Sequence, residues 1–400
     1  MTGPLIHEWP SSCRRVVFLS RRTPEISGGA KVVHTLSAAL ERNGVTVEHV
    51  SLEPGTRPPS FPTYVVDPRP EWHRGPSFRT TRGWRNRSRG LVAVVSKRLA
   101  RSRNRARLRR VLDGYGTDTV LVFTHVSAKV VVDDTGWSRK GEGPLMIGQH
   151  HSQFESIDLE PWLRGAMTRH FQNLDAFVAL TEDDARKFQQ VLAPPCRFIP
   201  NPIEPPRVPP RDPRPVAVAI SRLSGEKALD VMIRCFALAT APADLRHWRL
   251  DIYGEGDQHD RLHDAIEDSG AGRIRLAGHC DDVDEVLADA SVLLMTSWME
   301  GLPMSILEAA AMGVPTVAFD CSPGVRSLIG QDRGFLVPPG DESQYAQVLT
   351  EALRDPQDLA RRGAAARALA TSFSPQPVLE WWGKLLTAAY ESRGTGLARD

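Results

Sequence analysis

The amino-acid sequence predicts an α/β protein with two domains, each built around a parallel β-sheet. Short apolar runs typical of buried strands alternate with amphipathic helical patterns along most of the 400 residues. This length argues for two domains, because a single hydrophobic core stops growing at about 250–300 residues. A proline-rich segment, 201–215, contains seven prolines and divides the alternating pattern into two halves.

The composition is that of an ordinary soluble protein. The formal net charge is only +2, and no apolar run approaches the length of a membrane span. The five cysteines show no CxxC and no metal-like spacing, which argues for a reducing compartment and against a disulfide framework. Nothing before Val16 has the apolar stretch of a secretory signal. We therefore expect a cytoplasmic protein, peripheral at most on the inner face of the membrane.

The first domain opens with a strand, a loop and a helix. The strand is expected from Arg15 to Ser20 and the helix from Ala30 to Arg42. The loop between them ends in Gly28 and Gly29, and a glycine pair at such a place lets the backbone approach a phosphate closely. A plain tight turn explains the pair equally well. The second strand, Val45 to Val50, is followed by a proline-rich passage with little periodicity.

A strongly basic stretch occupies 72–112. It contains fourteen lysines and arginines and no aspartate or glutamate. Its second half spaces apolar residues as a helix does, with arginines on the other face, a pattern that favours an anionic membrane surface or a polyanionic partner. A solvated helix face is the alternative. No cluster of aromatic residues lies between the arginines, so we expect no nucleic-acid partner.

The rest of the first domain continues the alternation. Strands are expected at Thr119–Phe123, Pro144–Gly148, Ala176–Leu180 and Arg197–Ile199, and Thr181 is expected to cap the helix after the third of them. His150 and His151 follow the second of these strands, and side chains just past the carboxyl end of a parallel strand reach the ligand site of such a sheet. A histidine there can act as an acid, a base or a hydrogen-bond donor. A metal site is not expected, because neighbours in sequence point apart and no third ligand is evident.

The second domain follows the proline-rich segment. Strands are expected at Val216–Ile220, Arg249–Tyr253, Ile274–Ala277, Val292–Met295, Thr316–Phe319 and Phe335–Val337. Strands alternating with helices of this length indicate a second parallel sheet covered on both faces. We place the domains at 1–202 and 216–372, with the linker at 203–215. The last segment, 373–400, is expected to form a helix that crosses back to the first domain.

Two glutamates stand out in the stretch 296–313, TSWMEGLPMSILEAAAMG. Pro303 suits the first turn of a helix and Gly313 suits its end, so Glu300 falls in a strand-to-helix loop and Glu308 falls in the helix. Both lie where open α/β sheets bind ligands and where helix N-termini attract anions. Two acids at such a place suggest recognition of hydroxyl groups. The alternative is that Glu300 is solvated and Glu308 offsets the helix dipole.

Other strand ends of the second domain carry matching chemistry. The sequence SRLSGEK places Arg222 and Lys227 after the first strand, and two cations beside a helix N-terminus suit a diphosphate. The next strand ends in YGEGD, where Gly254 permits close approach of a ligand or of backbone. The strand after it ends at His279. This succession favours a ligand site over solvent-facing loops.

These motifs together resemble the retaining glycosyltransferases of family 4, also called group 1. The motifs are Glu300-x7-Glu308, SRLSGEK, YGEGD, RLAGH and GFLVPPGD. The resemblance is dense from 216 to 353 and weak from 53 to 112. It implies the GT-B fold, two Rossmann-like domains facing a central cleft. It also implies transfer of a sugar from a UDP-, GDP- or other nucleotide-diphosphate donor to a hydroxyl of a glycan, a lipid-linked acceptor or a glycopolymer of the cell envelope.

The resemblance implies a role for each matching residue of the second domain. Glu308 matches the glutamate that binds the ribose hydroxyls, and Glu300 matches the one that contacts the transferred sugar. Arg222 and Lys227 match the pair that neutralises the leaving diphosphate without a metal. The donor site is completed by backbone of the segment Gly301, Leu302, Pro303 and Met304 and by Gly254 and His279.

The resemblance also implies that the first domain, 1–202, binds the acceptor and that the second, 216–372, binds the nucleotide sugar. In the first domain the resemblance covers three positions. Gly28 and Gly29 resemble the loop that closes near the diphosphate, and His151 matches the active-site histidine. His150 is the alternative, because the alignment can slip by one residue. The chain departs from the family elsewhere, since Ser221 and Ala228 stand where the family usually has glycine.

The reaction that the resemblance implies needs no cofactor and no metal. Domain closure excludes water, the acceptor hydroxyl attacks on the face that the diphosphate leaves, and the configuration of the sugar is retained. Three alternatives share some of these features: a GT-B nucleotide-sugar epimerase, a nucleotide-sugar-binding protein without activity, and a membrane or polyanion adaptor organised around 72–112.

Overall fold

The computed structural model describes residues 9–23, 28–55, 58–67, 102–139, 141–159 and 161–394. The described residues form two α/β units, each with one parallel sheet, which confirms the predicted fold class. The first unit is formed by the described parts of 1–151, 157–199 and 379–400, and the second by 152–156 and 200–378.

The described part of the first unit gives seven parallel strands. They are β1 (Arg15–Thr23), β2 (Thr46–Pro54), β3 (Thr63–Val65), β4 (Thr119–Phe123), β5 (Leu145–Gln149), β6 (Ala176–Ala179) and β7 (Cys196–Phe198). Their spatial order is β3-β2-β1-β4-β5-β6-β7, so the direction of winding reverses between β1 and β4. Every residue of β4, β5 and β6 is buried, as expected for strands of a parallel sheet with helices on both faces.

The helices of this unit follow the strands in sequence. They are α1 (Gly28–Arg42), α2 (102–113), α3 (Val126–Asp134), α4 (Ser156–Leu159), α5 (Pro161–His170) and α6 (Glu182–Gln189). Thr181 caps α6 as its sequence predicts, because its side chain accepts a hydrogen bond from the backbone N–H of Asp184.

Three features of the first unit refine the sequence predictions. Gly28 and Gly29 are the first residues of α1, whereas the sequence placed them in the preceding loop. The short strand β3 was not expected, and it forms because the proline-rich passage returns to pair with β2. Of the basic stretch, 72–101 lies outside the described residues. The predicted amphipathic helix is present over 102–113, where Leu108 and Leu112 are buried and the arginines are exposed.

The second unit contains, in the part of the chain described, six parallel strands. They are β8 (Val216–Ile220), β9 (Arg249–Tyr253), β10 (Ile274–Gly278), β11 (Val292–Met295), β12 (Thr316–Phe319) and β13 (Gly334–Val337). Their spatial order is β10-β9-β8-β11-β12-β13, and the winding reverses between β8 and β11. Four of these strands have the bounds that the sequence predicts, and β10 and β13 differ by one residue.

The helices of the second unit cover both faces of its sheet. They are α7 (Leu229–Ala239), α8 (His259–Asp268), α9 (Val283–Ala288), α10 (Met304–Met312), α11 (Pro323–Ile329), α12 (Glu342–Arg354) and α13 (Pro356–Ala370). One apolar core joins α7 and α12 to the sheet, with Phe236, Phe319 and Tyr345 fully buried in it.

The proline-rich segment 201–215, described throughout, has no helix or strand. Ion pairs attach it to the second unit. Arg207 pairs with Asp282 and Asp284 at the start of α9, and Arg211 pairs with Glu285. These ion pairs and the fixed φ of proline hold the segment in one conformation along the surface of that unit.

The last helix, α14 (Pro375–Gly394), contributes to the first unit from Leu379 onward. Leu379, Trp382 and Leu386 line an apolar pocket together with Val16 and Phe18 of β1. Among the described residues, no helix combines the length and apolar character that crossing a membrane requires.

Candidate functional site

The centre of the candidate site is an ion pair at the carboxyl edge of the second sheet. Lys227 Nζ donates a hydrogen bond of 2.7 Å to Glu300 Oε1. Lys227 follows β8 and Glu300 follows β11, the two strands between which the winding reverses, and ligands of open α/β sheets bind at such a point. The two side chains are 16% and 14% exposed. The structure thus brings together two of the predicted site residues from loops 73 residues apart.

The loop that carries Lys227 has a well-defined backbone. It forms a turn of 3-10 helix, Gly225–Lys227, and then Ala228 adopts φ 47° and ψ 43°, the left-handed conformation that glycine adopts most easily. This conformation explains why a glycine is usual at that position in the resembling family. The Thr296 hydroxyl bonds the carbonyl of Ala228 at 2.9 Å, which holds the loop against the segment that carries Glu300.

The glycine at the end of β9 serves this same loop. A Cβ on Gly254 would lie 1.8 Å from the carbonyl oxygen of Ser221, and Gly254 has φ 143°. A Cβ on Gly256 would lie 2.2 Å from the carbonyl oxygen of Leu223. The Ser221 backbone thus approaches Gly254 closely, as one of the two explanations given by the sequence predicts.

Arg222 lies on the same loop but is held differently. Its guanidinium donates a 2.7 Å hydrogen bond to Glu226 Oε1 and is 72% exposed. Burial alone raises the pKa of Glu226, but hydrogen bonds from Ser224 and the backbone, with the charges of Arg222 and Lys227, lower it overall. Glu226 was not singled out from the sequence, because residues 222–226 form a loop and the start of a 3-10 turn, where a spacing of four does not predict an ion pair. The two cations therefore each face a carboxylate.

Glu308 lies at the other side of the site, five residues into α10. Pro303 is the N-cap of this helix, so the helix begins at Met304, one residue after its predicted start. Gly313, at φ 76°, is its C-cap. Glu308 is only 7% exposed. Burial is the main cause that raises the pKa of the Cys280 thiol, and the charge of Glu308 adds to the rise, so Glu308 lies near Cys280, two residues after the end of β10. His279, at that strand end, is 3.4 Å from Asp281 Oδ1.

The segment from Gly301 to Met304 joins the two glutamates. Gly301, Leu302 and Pro303 are buried. The backbone of Gly301 approaches Gly324 so closely that a Cβ there would lie 1.8 Å from the Gly301 carbonyl oxygen. This contact with α11 leaves the segment little freedom, as suits backbone that holds a ligand.

Cys321 is a neighbour of the ion pair that the sequence did not indicate. It follows β12 and is partly buried. Burial raises the pKa of its thiol to about 12, the Glu300 carboxylate adds to the rise, and Lys227 opposes it. A thiol with so high a pKa stays protonated and is a poor nucleophile at neutral pH.

In the first unit the structure distinguishes the two histidines. His151 lies beside Gly29, 4.0 Å from where a Cβ of that residue would be, so the two predicted positions are brought together. His150 is buried against Phe188, and its pKa is lowered to about 3 by burial first and by His151 and His125 after it. His150 is therefore buried and uncharged at neutral pH, whereas His151 lies beside Gly29.

Sequence analysis also missed His125. It caps α3 at the end of β4, where its Nδ1 accepts a hydrogen bond of 3.1 Å from the backbone N–H of Ser127. An imidazole that accepts at Nδ1 carries its proton at Nε2 when neutral. Within the described ranges, no group of three or more histidine, cysteine or acidic residues has the arrangement to hold a metal ion.

Comparison with known proteins assigns both halves of the chain to sugar-transferring families. Residues 26–207 match the family described as Glycosyltransferase Family 4, and residues 214–355 match Glycosyl transferases group 1. A relative in Streptomyces coelicolor, an exopolysaccharide phosphotransferase, is 33% identical over 302 residues, which are 72% of this chain and 30% of that protein. The poly(glycerol-phosphate) alpha-glucosyltransferase of Bacillus subtilis is 26% identical over 55% of this chain and 34% of its own. The chain thus spans about a third of the length of these relatives.

Solved structures share the fold. HepE from Anabaena in complex with UDP superimposes with a TM-score of 0.72 at 17% sequence identity, covering 94% of this chain and 100% of that one. This likeness confirms the GT-B class that the sequence predicted.

Proposed function

The chain belongs to the glycosyltransferases of family 4, and we propose that it transfers a sugar from a nucleotide-diphosphate donor to an acceptor hydroxyl with retention of configuration. The observation that carries the proposal is the Lys227–Glu300 pair at the switch point, with Arg222 on the same loop. In this proposal the cations bind the diphosphate, and the carboxylate beside them binds hydroxyls of the sugar.

The donor lies along the carboxyl edge of the second sheet in this proposal. Glu308, which lies near Cys280 after β10, accepts hydrogen bonds from the ribose hydroxyls. The diphosphate lies between Arg222 and Lys227, and the sugar is bound by Glu300 and by backbone from Gly301 to Met304. Donor binding then replaces the Arg222–Glu226 contact by a contact to phosphate, which the 72% exposure of Arg222 permits.

The two cations carry most of the rate enhancement. Negative charge develops on the β-phosphate as the bond to the sugar breaks, and fixed cations at that place stabilise the transition state more than the bound donor. The acceptor hydroxyl attacks from the face that the diphosphate leaves, and the leaving phosphate takes the acceptor proton. His151 keeps the active-site role that the family resemblance implies for it.

No cofactor and no metal take part in this mechanism, because the cations supply the charge that a metal otherwise supplies. We expect full transfer activity in EDTA, and NMR of the anomeric proton of the first product should show the anomeric configuration of the donor. Loss of activity in EDTA would contradict the metal-independent mechanism, and an inverted product would contradict retention.

The acceptor that we propose is a hydroxyl of a glycan, a lipid-linked acceptor or a glycopolymer of the cell envelope. The names of the two curated relatives support this class, since one acts on an exopolysaccharide and the other on poly(glycerol phosphate). A GT-B epimerase would instead convert the donor sugar with no acceptor present, which product analysis detects.

The basic stretch 72–112 is proposed to hold the protein at an anionic membrane surface. In α2 the exposed arginines lie opposite Leu108 and Leu112, which are buried. Flotation with liposomes should depend on the fraction of anionic lipid and decrease as salt rises. Flotation independent of both would contradict this role.

The experiment that tests the donor site is a thermal-shift panel of nucleotide sugars. One donor should raise the melting temperature of the wild type, because a ligand that binds only the folded state stabilises it in proportion to its affinity. Glu308→Ala should abolish the shift. Glu267→Ala, an exposed glutamate of α8, is the matched control and should keep it. No shift with any nucleotide sugar would overturn the proposed function.

Kinetics of the cation variants test the mechanism. Arg222→Ala and Lys227→Ala should lower kcat by about a hundredfold or more, with a much smaller loss of donor affinity. Equal losses in both would show that the two residues bind the donor without acting on the transition state.

A further inference from the structure

Trp298 is a large aromatic residue that the proposed donor site does not use. It lies two residues before Glu300, in the loop after β11, and its side chain is 47% exposed. One exposed tryptophan costs little by itself, but this one is held firmly. Its backbone N–H donates a 2.9 Å hydrogen bond to the carbonyl of Glu226, so it is fixed to the loop that carries Lys227.

The indole ring is supported on one face. It stacks on Phe319, with the ring centroids 5.6 Å apart and the planes 20° apart. Phe319 is fully buried and is itself held by an edge contact with Tyr345 at 5.2 Å. The edge of the indole lies beside Gly340, 3.7 Å from where a Cβ would be. The indole is therefore a platform held in one orientation, with one face on Phe319 and about half of the side chain exposed.

The position of Trp298 along the sheet determines which part of the bound donor lies nearest to it. Phe319 ends β12 and Gly340 follows β13, whereas Glu308 lies near Cys280, which follows β10. From β10 to β12 there are four strand spacings, about 19 Å. When the ribose of the donor lies at Glu308, the base lies at the β10 end of the sheet, far from Trp298. The sugar, at Glu300, is the part of the donor nearest to the platform.

We propose that Trp298 binds the acceptor, by stacking on the apolar C–H face of a pyranose ring next to the attacking hydroxyl. An indole face carries negative charge density and attracts the weakly positive C–H groups of such a ring. This inference rests on the proposed function and adds the acceptor side of the same edge. Trp298 becomes a residue that selects sugar-containing acceptors and leaves donor binding unchanged.

The test is fluorine NMR of protein labelled with 5-fluorotryptophan. The chain has nine tryptophans, and the resonance missing in Trp298→Phe identifies Trp298. UDP or GDP is added first, whichever stabilises the protein, and then methyl pyranosides of gluco, galacto and N-acetylglucosamine type. We expect the Trp298 resonance to move with at least one pyranoside and not with the nucleotide alone.

Variants measure the size of the effect. Saturation-transfer NMR should show that Trp298→Ala weakens pyranoside binding by about tenfold, while Trp298→Phe, which keeps a smaller platform, weakens it less. Trp381→Phe is the matched control, because Trp381 is 41% exposed on α14 and packs edge-on against Phe198. It should leave pyranoside binding unchanged.

The outcomes separate this inference from the function on which it rests. Movement of the Trp298 resonance with the nucleotide alone, movement only with an intact nucleotide sugar, or no movement with any pyranoside overturns the acceptor role. The thermal shift by the donor, recorded on the same variants, is expected to be unchanged by Trp298→Ala. If no nucleotide sugar gives a shift even in the wild type, the proposed function fails, whatever the Trp298 resonance does.

Discussion

At the scale of single residues, the candidate site depends on charges that are paired before any ligand arrives. Lys227 and Glu300 are both largely buried and are 2.7 Å apart, whereas Arg222 and Glu226 form a more exposed pair. A buried charge that loses its partner is costly, and an exposed one is screened by water. The two pairs should therefore respond differently to substitution.

A double-mutant cycle measures that difference. Lys227→Met should lower the free energy of unfolding by about 2–3 kcal/mol, because Glu300 then stays buried without its cation. Lys227→Met with Glu300→Gln should recover part of the loss. Urea unfolding is the measurement, and Arg222→Met is the control, with an expected change below about 1 kcal/mol. Equal effects at Lys227 and Arg222 would contradict the burial of the first pair.

His49 gives the first unit a predictable response to pH. It is 4% exposed, stacks on Phe61 and lies 3.0 Å from the Ser37 hydroxyl. Burial, and after it the charge of His34, lowers its pKa to about 4. The unfolded state binds more protons than the folded state between about pH 6.5 and pH 4, so stability decreases as the pH falls through that window.

The size of this loss is about 3 kcal/mol at most. His49→Phe, which keeps an aromatic ring on Phe61, should flatten the dependence of the unfolding free energy on pH between 6.5 and 4. His150, whose pKa is also lowered, leaves a residual slope. An unchanged slope in His49→Phe would show that His49 is not the group that titrates.

At the scale of elements, the loops after β8 and β9 fit together through their backbones. Ala228 ends one turn in a left-handed conformation, and Gly254 permits the Ser221 carbonyl to approach. Such contacts leave no room for side chains, because a Cβ cannot lie within about 3 Å of a carbonyl oxygen. The geometry around Lys227 is thus set by the strand next to it as much as by its own sequence.

Two glycine substitutions separate steric overlap from backbone strain. Gly254→Ala should lower the free energy of unfolding by about 3 kcal/mol or more and reduce donor binding, because its Cβ would overlap the Ser221 carbonyl. Gly278→Ala is the matched control. Gly278 also has a positive φ, 75°, but nothing lies within 4 Å of its Cβ position, so only the cost of the left-handed conformation, about 1–2 kcal/mol, is expected. Equal costs in urea unfolding would contradict the overlap.

At the scale of the whole molecule, the chain leaves the first unit and returns to it. The last strand of the first unit is β7. Some 180 residues later, α14 packs apolar side chains against β1 of the same unit. Arg393 near the end of α14 bonds both oxygens of Asp175 and the carbonyls of Gly143 and Pro144. Contacts this distant in sequence make the first unit depend on the end of the chain.

Substitution of Arg393 tests that dependence. Arg393→Ala should lower the free energy of unfolding by about 2 kcal/mol, because Asp175 keeps Arg139 at 2.7 Å but loses its bidentate partner. Arg393→Lys should cost about half as much. Arg354→Ala, which removes an exposed pair with Asp244, should change stability by less than about 1 kcal/mol. If all three variants unfold at the same urea concentration, α14 does not hold the first unit together in this way.

Much of the architecture could be predicted from the sequence because its signals are local. The strands β8, β9, β11 and β12 were predicted with their observed bounds, since apolar runs between turn residues report burial on both faces of a sheet. Thr181 and Gly313 were identified as helix ends for the same reason, because capping is a contact between near neighbours. The short strand β3 was missed because its three residues carry no pattern of their own.

By itself, the sequence determined the residue types of the candidate site and their order along the chain: two cations after one strand, two glutamates after another, and histidines in the first half. Tertiary structure decided their partners. It paired Lys227 with Glu300 and Arg222 with Glu226, enclosed His150 while leaving His151 beside Gly29, and set Trp298 flat on Phe319. The physical reason is that local patterns record hydrophobicity and backbone preference, whereas the pairing of charges and rings depends on strand order, and strand order is set by the packing of the whole unit.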